Sequence, residues 1–235
     1  MEVGIIGSGP GGSITAKVLA DNGIKVTIFE KGRSIYQNSL IKQFSLVESE
    51  EMYKDGGLTA TFGLPTINYI EGSCLGGGSE VNAGFYHRTP KYIFDEWKKT
   101  WQIHELNFKS LLPHFEYCEK LINVNYMPYE YPKASIKLVE GAKNLKWHVE
   151  EVPRWVKYSP FEENRSNLGF RQSMTETIYK NLNNNLLKVE ANTNVIKIIK
   201  HRKSKYSLRI KDENGLISET KLFDAIFIAA GAIDT

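Results

Sequence analysis

An α/β fold with a parallel sheet is predicted by two observations: a strand–glycine turn–helix–strand run over residues 3–30, and an apolar strand ending in small residues at 223–231. Parallel sheets are built from βαβ units whose buried strands read as near-continuous apolar runs. Val3, Ile5 and Ile6 form the first strand, which runs into Gly7-Ser8-Gly9-Pro10-Gly11-Gly12. Gly7 permits the tight turn, Gly9 lets backbone approach a pyrophosphate, and Gly12 lets the helix pack closely on the strand. The helix begins near Gly11, continues its buried face through Ala16 and Leu19, and closes at Gly23 as a C′ residue. Its N-terminus offers unpaired N–H groups and the positive end of a dipole to a phosphate. Ile24 to Phe29 is the second strand, ending at Glu30, with Lys31 next to it. A carboxylate there accepts ribose hydroxyl protons, whereas an arginine would have suited a 2′-phosphate. The unit is Rossmann-like and dinucleotide-binding; an ordinary glycine turn is the plainer alternative, which the full spacing and the terminal acid weigh against.

Composition bounds the rest. At 235 residues and 41% hydrophobic content the chain can bury a substantial core in one or two domains. The net charge is +3, from 30 basic and 27 acidic residues, which makes no electrostatic case for nucleic acid. The basic cluster Lys197, Lys200, His201, Arg202, Lys203 and Lys205 reads as a solvated strand end and turn rather than a binding patch. Cys74 and Cys118 lack metal spacing and read as reduced thiols of a cytoplasmic protein. His87, His104, His114 and His148 have no mutual metal spacing and read as structural, so no metal site is expected. The first strand begins at the second or third residue, leaving no room for a signal peptide, and no apolar run reaches the length of a membrane helix.

Residues 34 to 70 show no clear period, with turns expected at Asp55-Gly56-Gly57 and Gly63-Leu64-Pro65. A second glycine cluster follows, from Gly72 through Gly76-Gly77-Gly78-Ser79 to Asn82-Ala83-Gly84. Three consecutive glycines are poor in helix or strand interiors, so either the backbone must approach something closely here or the segment is a plain flexible loop. Following a dinucleotide fingerprint, a cofactor contact is the stronger reading.

The first segment, this cluster with Asn82 and Arg88, and the downstream Trp97 together resemble a glucose-methanol-choline (GMC) oxidoreductase. In that family a Gly-Gly-Ser-Ser-like loop, an Asn, an Arg and a Trp follow the FAD fingerprint in this order. The run from Gly76 to Arg88-Thr89-Pro90 is more similar to the branch of long-chain alcohol and sterol oxidases than to choline dehydrogenases. The resemblance implies FAD as cofactor, with Gly77, Gly78, Asn82, Ala83 and Gly84 along the flavin and Asn82 near the isoalloxazine ring. An amide on a glycine-rich turn is independently suited to pair with flavin carbonyl and N–H groups. It implies a FAD-binding domain of the glutathione-reductase type with part of a second, substrate domain. The expected division is 1–90 for the first part of the FAD domain, 91–184 for the partial substrate region and 185–235 for the second part.

Pro90 to Glu119 carries apolar and aromatic positions (Ile93, Phe94, Trp97, Trp101, Leu106, Phe108, Leu111, Leu112, Phe115) that predict helices joined by turns, with the aromatics chiefly core. Residues 126 to 132 are proline-punctuated and predict a loop. Gly169 to Ser173 leads into a helix at about 174 to 181 and resembles the family's run into its second FAD segment. Some relatives carry cysteines just upstream, where this chain has Asn164, Arg165, Ser166 and Asn167. Leu186–Val189 and Val195–Ile199 predict strands, and in the family the residue matching Val195 pairs adenine through its backbone. Tyr206–Ile210 and Leu216–Leu222 form a hairpin across Asp212-Glu213-Asn214-Gly215. Phe223 to Ala229 predicts a buried parallel strand ending at Ala230-Gly231-Ala232, a family-like motif where cofactors meet open α/β sheets.

GMC enzymes place their catalytic histidine, with a second His or Asn, near the C-terminus, where it abstracts the alcohol proton as hydride passes to flavin. The chain stops at Thr235, before any matching residue, so no catalytic residue is carried over. The expected function is therefore the FAD-binding portion of a flavin-dependent alcohol oxidoreductase acting on a small-molecule alcohol. Its C-terminal half would be absent or separately encoded, and apolar surface would be exposed unless a partner completes the sheet. The alternatives are another FAD protein of the same fold, such as an amine oxidase or a desaturase, which would lack the Gly76–Arg88 motif, or a non-catalytic flavin-binding subunit.

Overall fold

The structure, a computed structural model, describes residues 1–34, 45–158, 169–180 and 182–235. The elements run β1 (Glu2–Ile6), α1 (Pro10–Asp21), β2 (Lys25–Phe29), α2 (Leu46–Met52), β3 (Thr59–Ala60), β4 (Asn68–Tyr69) and α3 (Gly78–Val81). Next come α4 (Lys91–Trp101), α5 (Phe108–Leu121), α6 (Lys133–Asn144), β5 (Val156–Lys157) and β6 (Phe170–Arg171). A π-helical turn, Thr175–Tyr179, leads to β7 (Leu187–Glu190), β8 (Asn194–Lys200), β9 (Tyr206–Lys211), β10 (Ile217–Glu219), β11 (Ala225–Ile228) and α7 (Gly231–Asp234). The chain divides into two compact units: Met1–Asn82 with Ser173–Thr235, and Ala83–Gln172.

The first unit is built on a parallel four-stranded sheet of order β11-β1-β2-β7. Ile5 lies level with Phe227 on one side and Ile28 on the other, and Ile28 is level with Val189. Val3, Ile5 and Ile28 are fully buried, as expected of central strands covered on both faces. Helix α1 covers the sheet through Gly12, Ser13, Ala16 and Ala20, small residues that let helix and strand backbones approach. Gly23 does close α1 as expected: its N–H bonds the Ala20 carbonyl at 3.0 Å and the Ile24 N–H bonds the Leu19 carbonyl at 3.1 Å, a Schellman arrangement. The antiparallel sheet β10-β9-β8 packs beside it through Phe29, Leu208 and Phe223, with Phe29 and Phe223 edge-to-face at 5.9 Å. The basic cluster forms the end of β8 and the turn into β9, and Lys205 pairs with Asp224.

Three expectations need correction. The strand expected over 223–229 begins only at Ala225 and is not buried: it occupies the sheet edge, with Phe227 42% and Ile228 49% exposed. An apolar run reports low polarity, not how many neighbours a strand finds, so it did not distinguish edge from centre. Phe223, just before it, is the residue that is buried. The strand expected over 216–222 shortens to Ile217–Glu219 and is exposed, and the helix expected at about 174–181 is a single π-helical turn, with residue 181 outside the described residues. Asn164 to Asn167 also lie outside them.

The second unit holds α4, α5 and α6. Helix α5 starts at a capping box in which Asn107 Oδ1 accepts the Ser110 N–H at 2.9 Å and the Asn107 N–H reaches Ser110 Oγ at 3.3 Å. Phe94 is buried and meets Trp97 and Phe108 edge-on, while Trp101, also expected in the core, is 68% exposed. Residues 126–132 are a loop, and α6 was not anticipated: its apolar positions Ile136 and Leu138 are both exposed.

Arg88 clasps Glu119 of α5 in a two-pronged pair, Nε to Oε1 at 2.5 Å and Nη2 to Oε2 at 2.6 Å. The guanidinium holds the Glu119 carboxyl below its ordinary range, and a hydrogen bond from Tyr86 adds to this. A carboxyl with a depressed folded value contributes stability above its unfolded value and loses it as pH falls through the folded one. Urea midpoints should therefore be level near neutrality and fall below about pH 4, and Arg88→Gln should flatten that acid limb; an unchanged limb would show that the pair does not stabilise the unit.

Candidate cofactor site

The C-terminal ends of β1, β2 and β11 converge, the place where open parallel sheets bind ligands. The Gly7 N–H bonds the Phe29 carbonyl at 2.9 Å and the Ala229 N–H bonds the Ile6 carbonyl at 2.8 Å, so the turn after β1 is tied to both neighbours. Gly7 has φ +97°, and a Cβ there would lie 2.3 Å from the Ala229 carbonyl oxygen. A side chain is excluded on both conformational and steric grounds. At Gly12 a Cβ would lie 2.0 Å from the Gly7 carbonyl, whereas at Gly9 it would meet nothing within 4 Å. The fingerprint is thus tight at its two ends and open in the middle, as the sequence reading required. Pro10 is the first residue of α1, and the helix's own ladder starts with the Ser13 N–H on the Gly9 carbonyl at 2.9 Å. The N–H groups of Gly11 and Gly12 precede that ladder.

The second glycine cluster reaches the first. Gly77 adopts φ +56°, ψ −140°, and a Cβ on it would lie 2.9 Å from the Gly9 Cα. The loops therefore meet backbone to backbone. Ser8, fully buried, is the polar side of the same contact: its Oγ accepts the Gly76 N–H at 3.0 Å and donates to Glu30 Oε2 at 2.6 Å. The Ser8 N–H also donates to Glu30 Oε2 at 2.9 Å, and the Gly32 N–H to Oε1 at 2.7 Å. Glu30 is 7% exposed, and its carboxylate organises the surrounding backbone as well as standing at the end of β2. Beyond Gly77, Ser79 Oγ donates to the Gly76 carbonyl at 2.8 Å and accepts the Met174 N–H at 3.0 Å, and Glu80 Oε1 accepts the Thr175 N–H at 3.1 Å. The chain returning after the second unit is thereby anchored on the glycine cluster. Cys74, fully buried beneath it, has its thiol pushed up by burial, with the nearby carboxylates of Glu80 and Glu30 acting in the same direction.

A cavity of about 1070 Å³ opens above these loops. Of the residues singled out from the sequence, it is lined by Gly7, Gly9, Pro10, Gly11, Glu30, Lys31, Gly77, Gly78, Val195, Ala230 and Gly231. Ser8 and Gly12 are buried behind its wall. Asn82 is exposed at the end of α3 and does not line this cavity. Ala83 and Gly84 belong to the other unit, where the Gly84 carbonyl accepts the Trp155 N–H at 3.0 Å. Sequence reasoning missed Lys54, Glu71 and Asp234, which also line the cavity: Lys54 Nζ lies 2.9 Å from Glu71 and 2.9 Å from Asp234. Its hydrogen bonds to the Asp234 and Glu71 carboxylates push the ammonium's pKa up. No motif marks these three: Lys54 sits in the aperiodic 34–70 stretch, Glu71 just after it and Asp234 after the last strand. Among the described residues no group of three or more His, Cys, Asp or Glu could hold a metal, and no helix is long and apolar enough to cross a membrane.

A family model described as GMC oxidoreductase matches residues 49–235, and one described as FAD binding domain matches residues 1–78. The chain is 30% identical to an uncharacterised GMC-type oxidoreductase of Sinorhizobium fredii, over 98% of this chain and 47% of that protein. It is 32% identical to a long-chain-alcohol oxidase of Arabidopsis thaliana over 65% of this chain and 20% of that one. Among solved structures, pyridoxine 4-oxidase from Mesorbium loti superposes with a TM-score of 0.72 at 16% identity, covering 99% of this chain and 50% of the other. A fungal aryl-alcohol oxidase gives 0.72 at 12% identity, covering 98% and 46%. The chain thus spans about half the length of the relative and the solved structures that match it along nearly its whole length. The amine-oxidase and desaturase alternatives fall away, because the GMC oxidoreductase match from residue 49 onward takes in the Gly76–Arg88 motif. This chain belongs to the GMC oxidoreductase family, and its cofactor is FAD.

Proposed function

We propose that this chain is the FAD-binding portion of a flavin-dependent alcohol oxidoreductase, in which hydride passes from the CH–OH group of a small-molecule alcohol to FAD. The observation that carries the reading is the backbone-lined cavity between two touching glycine loops. Its volume, about 1070 Å³, is just above the ~300–1,000 Å³ range of small-molecule sites. The residues present fit the cofactor. The open Gly9 and the N–H groups of Gly11 and Gly12 would hold the pyrophosphate at the start of α1. Glu30 and Lys31 would hold the ribose, and the Val195 backbone the adenine. Ala230 and Gly231 would lie beside the cofactor at the end of β11, with Gly77 and Gly78 along the flavin.

When bound, FAD supplies the ring that accepts hydride. The residues of this chain bind and orient it, and none of them is assigned to removing the alcohol proton. That group would come from sequence beyond residue 235, on the same or a separate polypeptide. Similarity to a long-chain-alcohol oxidase supports an alcohol as donor. Free cysteines at 74 and 118 support a cytoplasmic setting.

Purified protein should carry flavin absorbance or gain it on adding FAD; a protein that stays colourless and binds no added FAD would overturn the reading. Alcohol-dependent reduction of an artificial acceptor should require a polypeptide that supplies the half of the relatives' length this chain does not span, and turnover by residues 1–235 alone would sink the idea that the catalytic part lies elsewhere. Gly77→Val should drive a side chain into Gly9, an overpacking of about 1–3 kcal/mol that weakens FAD binding roughly tenfold or more. Gly141→Val, on α6 with open space around it, is the control and should leave the dissociation constant unchanged.

A further inference from the structure

The geometry points to Tyr179 as a positioning residue for the phosphate loop: acting through Ser13, it fixes the Ser8–Gly9 peptide plane and so aims the Gly9 N–H at the cofactor's pyrophosphate. This rests on the cavity being the FAD site.

Tyr179 closes the π-helical turn of the returning chain and is 7% exposed, and Ser13 lies fully buried in the first turns of α1. Ser13 Oγ donates to the Ser8 carbonyl at 2.6 Å, and the Tyr179 hydroxyl lies 2.6 Å from Ser13 Oγ and 3.3 Å from the same carbonyl. Each hydroxyl has one proton. With Ser13's proton on the Ser8 carbonyl, the short contact at Ser13 Oγ is made by Tyr179's proton. The order is therefore Tyr179 to Ser13 to Ser8, a relay in which each bond polarises the next.

The Ser8 carbonyl matters because of what shares its peptide plane. A trans peptide is planar and its C=O and N–H point in opposite directions. Drawing the Ser8 oxygen into the buried Ser13–Tyr179 side turns the Gly9 N–H the other way. Gly9 lines the cavity, and no atom would obstruct even a Cβ placed on it. The rest of Ser8 is equally fixed, its N–H and Oγ on Glu30 and its Oγ also accepting from Gly76. Tyr179 thus supplies the remaining constraint, on the Ser8–Gly9 plane, of a residue whose N–H and hydroxyl are already held.

Tyr179→Phe keeps the ring and removes the proton. Because FAD and ADP share the pyrophosphate, the dissociation constants of both, measured by titration calorimetry, should rise by the same factor, about five- to tenfold for one hydrogen bond in a buried relay. Ser13→Ala should raise them at least as much, and adding Tyr179→Phe to it should cost less than the two separate factors multiplied. Ala20→Gly, which destabilises α1 at its far end by about 1 kcal/mol, separates stability from positioning and should leave both constants within twofold. Unchanged FAD and ADP affinity in Tyr179→Phe, a loss confined to FAD, or an equal loss in Ala20→Gly would each overturn the role of Tyr179. Failure of the unsubstituted protein to bind either ligand would instead overturn the cavity assignment on which it rests.

Discussion

Closure of the cofactor cavity depends on one steric fact, the approach of Gly77 to Gly9 with no side chain between them. The two loops are far apart in sequence, one following β1 and the other preceding α3. The Gly77–Gly9 contact is backbone on both sides, so burial of apolar side chains contributes little at that point. What holds them is polar: the Gly76 N–H on Ser8 Oγ, with Ser8 itself held by Glu30. A buried hydrogen bond is worth only about 1 kcal/mol net, but one left half-made costs more. The loops are thus fixed less by attraction than by the penalty for any arrangement that strands these buried groups.

The same logic ties the chain's return to the site. Residues 83–172 leave the first unit and Ser173 re-enters it, a long excursion whose closure costs conformational entropy. The re-entry point is secured at once by Ser79 on the Met174 N–H, Glu80 on the Thr175 N–H, and Thr175 Oγ1 on the Leu75 carbonyl at 3.0 Å. Glycine cluster and returning turn therefore support each other. The helical turn here is of the π type, with a wider repeat than an α-helix.

What could be read from the sequence follows the kind of signal each part carries. The βαβ unit was legible residue by residue because its requirements are local: a positive φ at Gly7, no room for a side chain at Gly12, and an acid at the end of β2. The edge position of β11 was not legible, because exposure of Phe227 and Ile228 is decided by strand order, which hydrophobic pattern does not encode. Helix α6 was not legible because it follows the proline-punctuated run 126–132 and its N-cap position, Pro132, makes no side-chain capping bond. Lys54, Glu71 and Asp234 gather at the cavity from segments with no shared motif. Glu30 was foreseen at the site, but its bonds to Ser8 and Gly32 could not be, since the turn that brings Gly32 back is irregular.

A floor made of backbone also explains how the likeness to solved structures survives so much sequence change. At 16% and 12% identity the fold is kept at a TM-score of 0.72 in both cases. Side-chain packing tolerates substitution when volume is conserved. The backbone contacts at Gly7, Gly12 and Gly77 tolerate none, because any Cβ there falls within 3 Å of another backbone atom. A fold pinned at a few such points and filled elsewhere by exchangeable apolar side chains can diverge almost everywhere else. Divergence should therefore concentrate where side chains rather than backbone line the cavity, as at Lys54, Ile70 and Glu71.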